Sequence, residues 1–346
     1  YPGQTNRLAM ANEMSGKLAS SGVTLSQLTN MWTNTDGATG TYDWDNNDID
    51  GATQYLENKV AKYQQNASDI TNWFETDIFA TYVNEVEPII SGDVTTHPAS
   101  AGVAGWVADF DQGGTDREVD GLGRELDQVF AKSLIGALCL DEIAHGYLAD
   151  IKLLDANNTD RNPNEDANST NMEHYWDEGF GYAYGGEPDP LAPTYTKAND
   201  PLLGYYLGKY PTEAGYVYNA FCTGRQAIVQ GCYDERDRQS DIVRDNLSKV
   251  VGDKAVYYLN SAIDKANVQL GRGGDFFHAL SEAYGFIHSL QYTYNPATGA
   301  SYYSHAEVNQ LLGELDAGSN VDGTGVNDGL WGISLTRLQE MHDEII

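Results

Sequence analysis

The amino-acid order predicts an all-α protein made of two fused helical bundle lobes related by internal duplication. Three observations predict it. Apolar residues recur near a 3.6-residue period over long stretches, strand-like alternation is scarce, and one nine-residue phrase occurs twice.

Taken in order, amphipathic spacing predicts helices over Arg7–Leu18, Ala52–Tyr63 and Ile70–Val86. The strongest signal runs from Leu122 to Leu154, with Leu126, Val129, Phe130, Leu134, Ala137, Leu138, Ile143 and Leu148 on a helical repeat. It reads as one long core helix or two abutting ones. Further helices follow over Glu213–Val229, Ile242–Val251, Ala255–Leu270, Phe276–Leu290 and Leu335–Ile346. Between them, Asp155 to Thr170 is filled with Asn, Asp, Ser and Thr and reads as a surface loop. Gly185 to Gly204 holds four of the ten prolines and is the natural seam between an N-terminal lobe, 1–200, and a C-terminal lobe, 201–346, unless the two form one compact unit.

The charge balance excludes several partners. With 51 acidic against 20 basic residues and a net charge of −31, the chain repels nucleic-acid phosphates and anionic headgroups. No stretch is apolar for long enough to span a bilayer. The acidity fits the solvated surface of an exported or salt-adapted protein, or one that attracts cations, and the opening at Tyr1 reads as a mature or trimmed product. Cys139, Cys222 and Cys232 are too few for a disulfide scaffold and lack zinc-knuckle spacing; Cys222 and Cys232 would pair only if the helix between them ended before Cys232. No phosphate loop, dinucleotide fingerprint, serine nucleophile elbow or His-Glu-x-x-His phrase occurs.

The repeated phrase carries the chemistry. Its copies are His174-Tyr-Trp-Asp-Glu178-Gly-Phe-Gly-Tyr182 and His278-Ala-Leu-Ser-Glu282-Ala-Tyr-Gly-Phe286, and only seven histidines exist in the chain. Thr170 with Glu173 forms a capping-box pattern ahead of the first copy, and Asp275 is the candidate N-cap of the second. On a helix, residues four apart share a face, so His174 stands over Glu178 and His278 over Glu282. Imidazole and carboxylate together suit a transition metal such as iron, zinc or copper, and two facing helices would supply four ligands, with Asp177 as a fifth. The alternative is that each pair is a buried brace where a glycine lets helices approach.

A second constellation is Glu142-Ile-Ala-His145, which has the Glu-x-x-His spacing of carboxylate-bridged di-iron bundles but occurs once. Asp141 and Arg225 stand in apolar helical contexts, where a buried salt bridge is the first expectation and a site role the second. Three Asx-rich runs, Asp43–Gly51, Asp155–Asp166 and Asp316–Asp328, resemble calcium loops in composition, although turn formation in an acidic protein explains them as well.

The opening Tyr1-Pro-Gly-Gln-Thr-Asn-Arg-Leu, the phrase from Met172 to Tyr182, Gly224-Arg-Gln-Ala-Ile228 and the phrase from His278 to Ile287 resemble an uncharacterised family of bacterial envelope domains about 350 residues long. That family is in turn similar to the imelysins, two-bundle helical proteins tied to iron-regulated uptake and once described as peptidases. Against the imelysin signature Gly-x-His-x-x-Glu, His174 is followed by Asp177 at the third position and Glu178 at the fourth, with Asn171 or Met172 where its glycine would stand. The resemblance implies a two-lobed helical fold, an exported and often lipid-anchored protein of the periplasm, outer membrane or cell surface, and a part in metal acquisition. Three functions follow as expectations: a binding protein for a metal ion or metal-bearing ligand at the lobe interface, a surface scaffold or adhesion protein meeting other envelope proteins, and an imelysin-type metallopeptidase.

Overall fold

A computed structural model describes residues 1–35, 44–46, 49, 52–110, 114–159, 169–268, 271–320, 323 and 325–345. Among the described residues helix accounts for 61% and strand for 3%, so the class is all-α. Among the described residues no helix is long and apolar enough to cross a membrane.

Helix α1, Pro2–Lys17, starts with proline in its first turn, where the missing N–H costs nothing. Helix α2, Leu25–Thr33, is closed by a Thr24/Gln27 capping box and a left-handed Asn34. Helix α3, Ala67–Trp73, continues through wide π turns at Phe74–Ala80 and Tyr82–Val86. A short antiparallel hairpin, β1 Gly105–Val107 and β2 Arg117–Val119, pairs Gly105 with Val119. Helix α4, Leu126–Leu134, runs straight into a π-wound stretch, Ile135–Tyr147. Then come α5 Asn171–Tyr184, α6 Leu203–Leu207, α7 Pro211–Gln230, the 36-residue α8 Tyr233–Val268, α9 Gly274–Ser289, α10 His305–Ala317 and α11 Leu335–Ile345.

The segment from Leu126 to Tyr147 is the axis of the molecule. Every residue of its π-wound half except His145 is buried, the pattern of a helix surrounded on all sides. Helix α9 lies along α4, α5 lies along the π-wound half, and α8 packs between α7 and α9. Small residues allow the closest of these contacts. A Cβ at Gly285 would stand 2.5 Å from the Lys132 Cβ and 2.9 Å from the Val129 carbonyl oxygen, so α9 touches α4 nearly backbone to backbone.

Several expectations are corrected. Ala52–Tyr63 is not a helix but a run of turns over 56–66, tied down by Ala61 N–H on the Ala137 carbonyl at 2.7 Å and by Tyr63 N–H on Asp141 at 3.0 Å. Tertiary hydrogen bonds therefore override its helical spacing. The helices expected over Ile242–Val251 and Ala255–Leu270 are one continuous α8, because Gly252 is tolerated where packing on α7, α9 and α11 holds both halves. Asp275 is not the N-cap of α9; Gly273 is, and Asp275 bonds Lys265 at 2.6 Å. Helix α7 does end before Cys232, yet Cys222 and Cys232 are free, exposed thiols. Asp43–Gly51 falls mostly outside the described residues, as do the later part of Asp155–Asp166 and positions 321, 322 and 324 of Asp316–Asp328.

Candidate functional site

The first copy of the phrase sits on α5, whose start is set by the expected capping box: the Thr170 hydroxyl accepts from Glu173 N–H at 3.2 Å, and Glu173 accepts from Thr170 N–H at 2.9 Å. That places His174 and Glu178 one turn apart, with His174 Nε2 3.4 Å from Glu178 Oε2. The imidazole is open to solvent, its side chain 56% exposed, while Glu178 is 21% exposed. Asp177, on the neighbouring face, bonds Arg225 Nε at 2.9 Å, and the same guanidinium reaches Glu173 at 3.1 Å. Arg225 is thus paired as expected, at a half-buried position.

Behind Glu178 a chain of hydrogen bonds leads inward. Gln4 on α1 donates to Glu178 at 3.0 Å and to the Tyr147 hydroxyl at 3.2 Å; Lys59 donates to the same hydroxyl at 3.0 Å and to Glu142 Oε2 at 2.9 Å. The Glu142 side chain is fully buried. Burial raises its pKa against the opposing charge and hydrogen bond of Lys59, and burial lowers that of Lys59. Among the described residues Gln4 Oε1, Glu142 Oε1 and the Tyr182 hydroxyl are buried with no hydrogen-bond partner, and burial followed by the Glu142 charge pushes the Tyr182 pKa up. Such buried, unpaired groups are uncommon and costly in a purely structural network.

Asp141 departs from the expected salt bridge. It is fully buried and, among the described residues, accepts from Tyr63 N–H at 3.0 Å and Gln64 Nε2 at 2.6 Å, and burial pushes its pKa up to about 6. A carboxylate here docks the 61–64 turn onto the axial helix with no cation among the described residues beside it. His145, three residues beyond Glu142, turns away toward the Tyr292 and Thr293 carbonyl oxygens at 3.1 and 3.2 Å. Glu142 and His145 therefore serve different networks.

The second copy, on α9, is built differently. His278 Nδ1 is 2.7 Å from Glu125 Oε2, and Nε2 is 3.6 Å from Glu282 Oε2. Glu282 Oε1 in turn meets Lys132 at 3.1 Å and the Tyr206 hydroxyl at 3.1 Å. Burial pulls the His278 pKa down, but the Glu125 hydrogen bond and the charges of Glu125 and Glu282 outweigh it and hold the imidazole above its usual value. Burial raises Glu282, yet Lys132, His278 and Tyr206 hold it below the usual carboxylate range. The pair is a closed set of matched charges.

The two pairs are not brought together. Glu282 reaches the axial helix at Lys132 and the Glu178 chain reaches it at Tyr147, on the order of 20 Å apart at helical rise. Among the described residues no group of three or more His, Cys, Asp or Glu side chains is arranged to hold a metal ion. The sequence did not point to Gln4, Lys59, Tyr147, Glu125, Lys132 or Tyr206. Each lies far along the chain from its partner, and nothing in local spacing marks it.

The model of a domain of unknown function, DUF4856, matches residues 1–346. No curated protein and no solved structure matches the chain.

Proposed function

Because the chain belongs to the DUF4856 family of unknown function, its role has to be argued from the site, and we propose that it is an exported cell-envelope binding protein in which His174 and Glu178 accept a transition metal or a metal-bearing ligand. The observation that carries this reading is the asymmetry of the two pairs: His278–Glu282 is closed by Glu125 and Lys132, whereas His174 is open to solvent over a carboxylate anchored from behind by Gln4. Two protein ligands fill two coordination positions. The remainder would come from water or from the ligand itself, which suits a chelated metal such as iron better than a bare structural ion. The two-lobed, imelysin-like architecture and a role in metal acquisition belong to this same proposal.

The test uses the full chain, purified without chelator or affinity nickel and offered ferric citrate, zinc or copper. Binding is expected in the wild type, lost in His174→Ala and in Glu178→Gln, and kept in His278→Ala. No uptake by the wild type, or full uptake by a folded His174→Ala, overturns it.

A scaffold reading is favoured by the closed second pair. It expects His278→Ala to cost on the order of 1 to 3 kcal/mol of stability, since the buried Glu125 and Glu282 carboxylates would lose a half-buried partner, with no metal retained by any variant.

A further inference from the structure

Away from the His174 network, the N-terminal half of α8 and the turns at 150–156 and 294–296 enclose a cleft of about 710 Å³. Its charges are layered. The Arg236 and Arg244 side chains, two turns apart on one face of α8, are each only 6% exposed, whereas their partners Asp155, Asp237 and Asp241 stand 70%, 59% and 44% exposed. The floor is therefore cationic and the rim anionic.

Arg244 is held in place from two sides. Its guanidinium lies 3.8 Å from the Tyr294 ring centroid, and its described ion pair uses Nη2, 2.8 Å from Asp241. Nε is buried with no partner among the described residues, so this guanidinium carries less hydrogen bonding than its burial calls for. Leu153, Leu154 and Pro296 form an apolar wall beside it. Exposed Asp150 completes the rim and, with Asp241, bears electrostatically on the Tyr294 hydroxyl.

We propose that this cleft binds a small zwitterion of amino-acid chemistry, its carboxylate directed to Arg244, its ammonium among the rim aspartates and its side chain on the apolar wall. A lone anion would have to pass four carboxylates, and a lone cation would meet two guanidiniums at the floor. A zwitterion matches both layers, and a planar guanidinium fixed over an aromatic ring is the donor best suited to a carboxylate. Free amino acids and the ends of short peptides share this chemistry.

Isothermal titration calorimetry on the full chain with L-leucine and with trileucine separates the two sources, and leucinamide and N-acetylleucine each delete one charge. Binding of at least one zwitterion is expected, with both charge-deleted analogues weaker by tenfold or more. Arg244→Gln should reduce zwitterion affinity to the level of leucinamide. Since that change touches a buried side chain, Asp150→Asn at the exposed rim provides the second arm: it should weaken the zwitterion severalfold and leave the melting temperature unchanged. Absence of binding by both zwitterions at millimolar concentration, or equal binding of leucinamide, overturns the proposal.

Discussion

Glu142 stands in a buried ion pair. Its carboxylate is fully buried and its ionic partner is Lys59, itself 13% exposed. Removing one member of a buried pair leaves an uncompensated charge, so Lys59→Met should destabilise the fold by about 3 to 5 kcal/mol, while the double replacement Lys59→Met with Glu142→Leu should recover most of that loss. Urea unfolding of the three variants checks this; a double variant as unstable as the single one would show that the pair is not the cause. The sequence marked Glu142 for its spacing to His145, and that spacing does not join them. It marked Asp141 and Arg225 as charges needing partners; Arg225 has carboxylates, whereas Asp141 is met by an amide and a backbone N–H. Local pattern identifies which side chains need a partner. It does not identify the partner, because Lys59 lies 83 positions from Glu142 and Gln4 lies 174 from Glu178.

Helices were legible where one face repeats, and their ends were legible where capping chemistry is local. Thr170 and Glu173 fixed the start of α5 as expected, since both halves of the box lie within one turn. The helix expected over Ala52–Tyr63 does not form because its apolar positions serve a turn that hydrogen-bonds the axial helix, and that helix's carbonyl at Ala137 is offered by a π-wound stretch no local rule predicts. The glycine shared by both phrases has a meaning that packing supplies. Gly285→Ala would press a methyl onto the α4 backbone and should cost on the order of 1 to 3 kcal/mol or more. Gly313→Ala, on the exposed face of α10 with nothing among the described residues within 4 Å of the added methyl, should instead stabilise by about 0.5 to 1 kcal/mol. Thermal melts of the two variants moving in the same direction would contradict this account of the α4–α9 contact.

At the scale of the whole molecule, buried ionisable groups set the pH dependence. Burial raises Asp200 and Glu118 to about 7 and Asp141 to about 6, so the folded state keeps protons that the unfolded chain releases near its ordinary carboxylate values. A raised carboxyl pKa contributes stability that is full at low pH and is lost as pH rises through the folded value. His278, also raised, acts in the same sense. His288 acts in the opposite sense: burial lowers it to about 3, and its stability is lost as pH falls below the unfolded histidine value. Between about pH 8 and 6 the carboxyl groups dominate, so the melting temperature at fixed ionic strength should rise as pH falls over that window. A flat or falling profile in scanning calorimetry refutes it. The net charge of −31 adds self-repulsion, and melting in 0.5 M sodium chloride, roughly several-fold above physiological ionic strength, should be higher than in dilute buffer at pH 8.

The sequence by itself determined the helical class, the core helix running out of Leu126, the capping of α5 and the pairing of each histidine with the glutamate one turn on, because all of these are set by contacts within a few residues. Only the tertiary structure decided that one pair opens to solvent while the other is closed by Glu125 and Lys132, and that a turn rather than a helix delivers Lys59 to Glu142. The physical reason is distance along the chain: burial and charge pairing depend on which segments meet, and that is settled by the packing of the whole core.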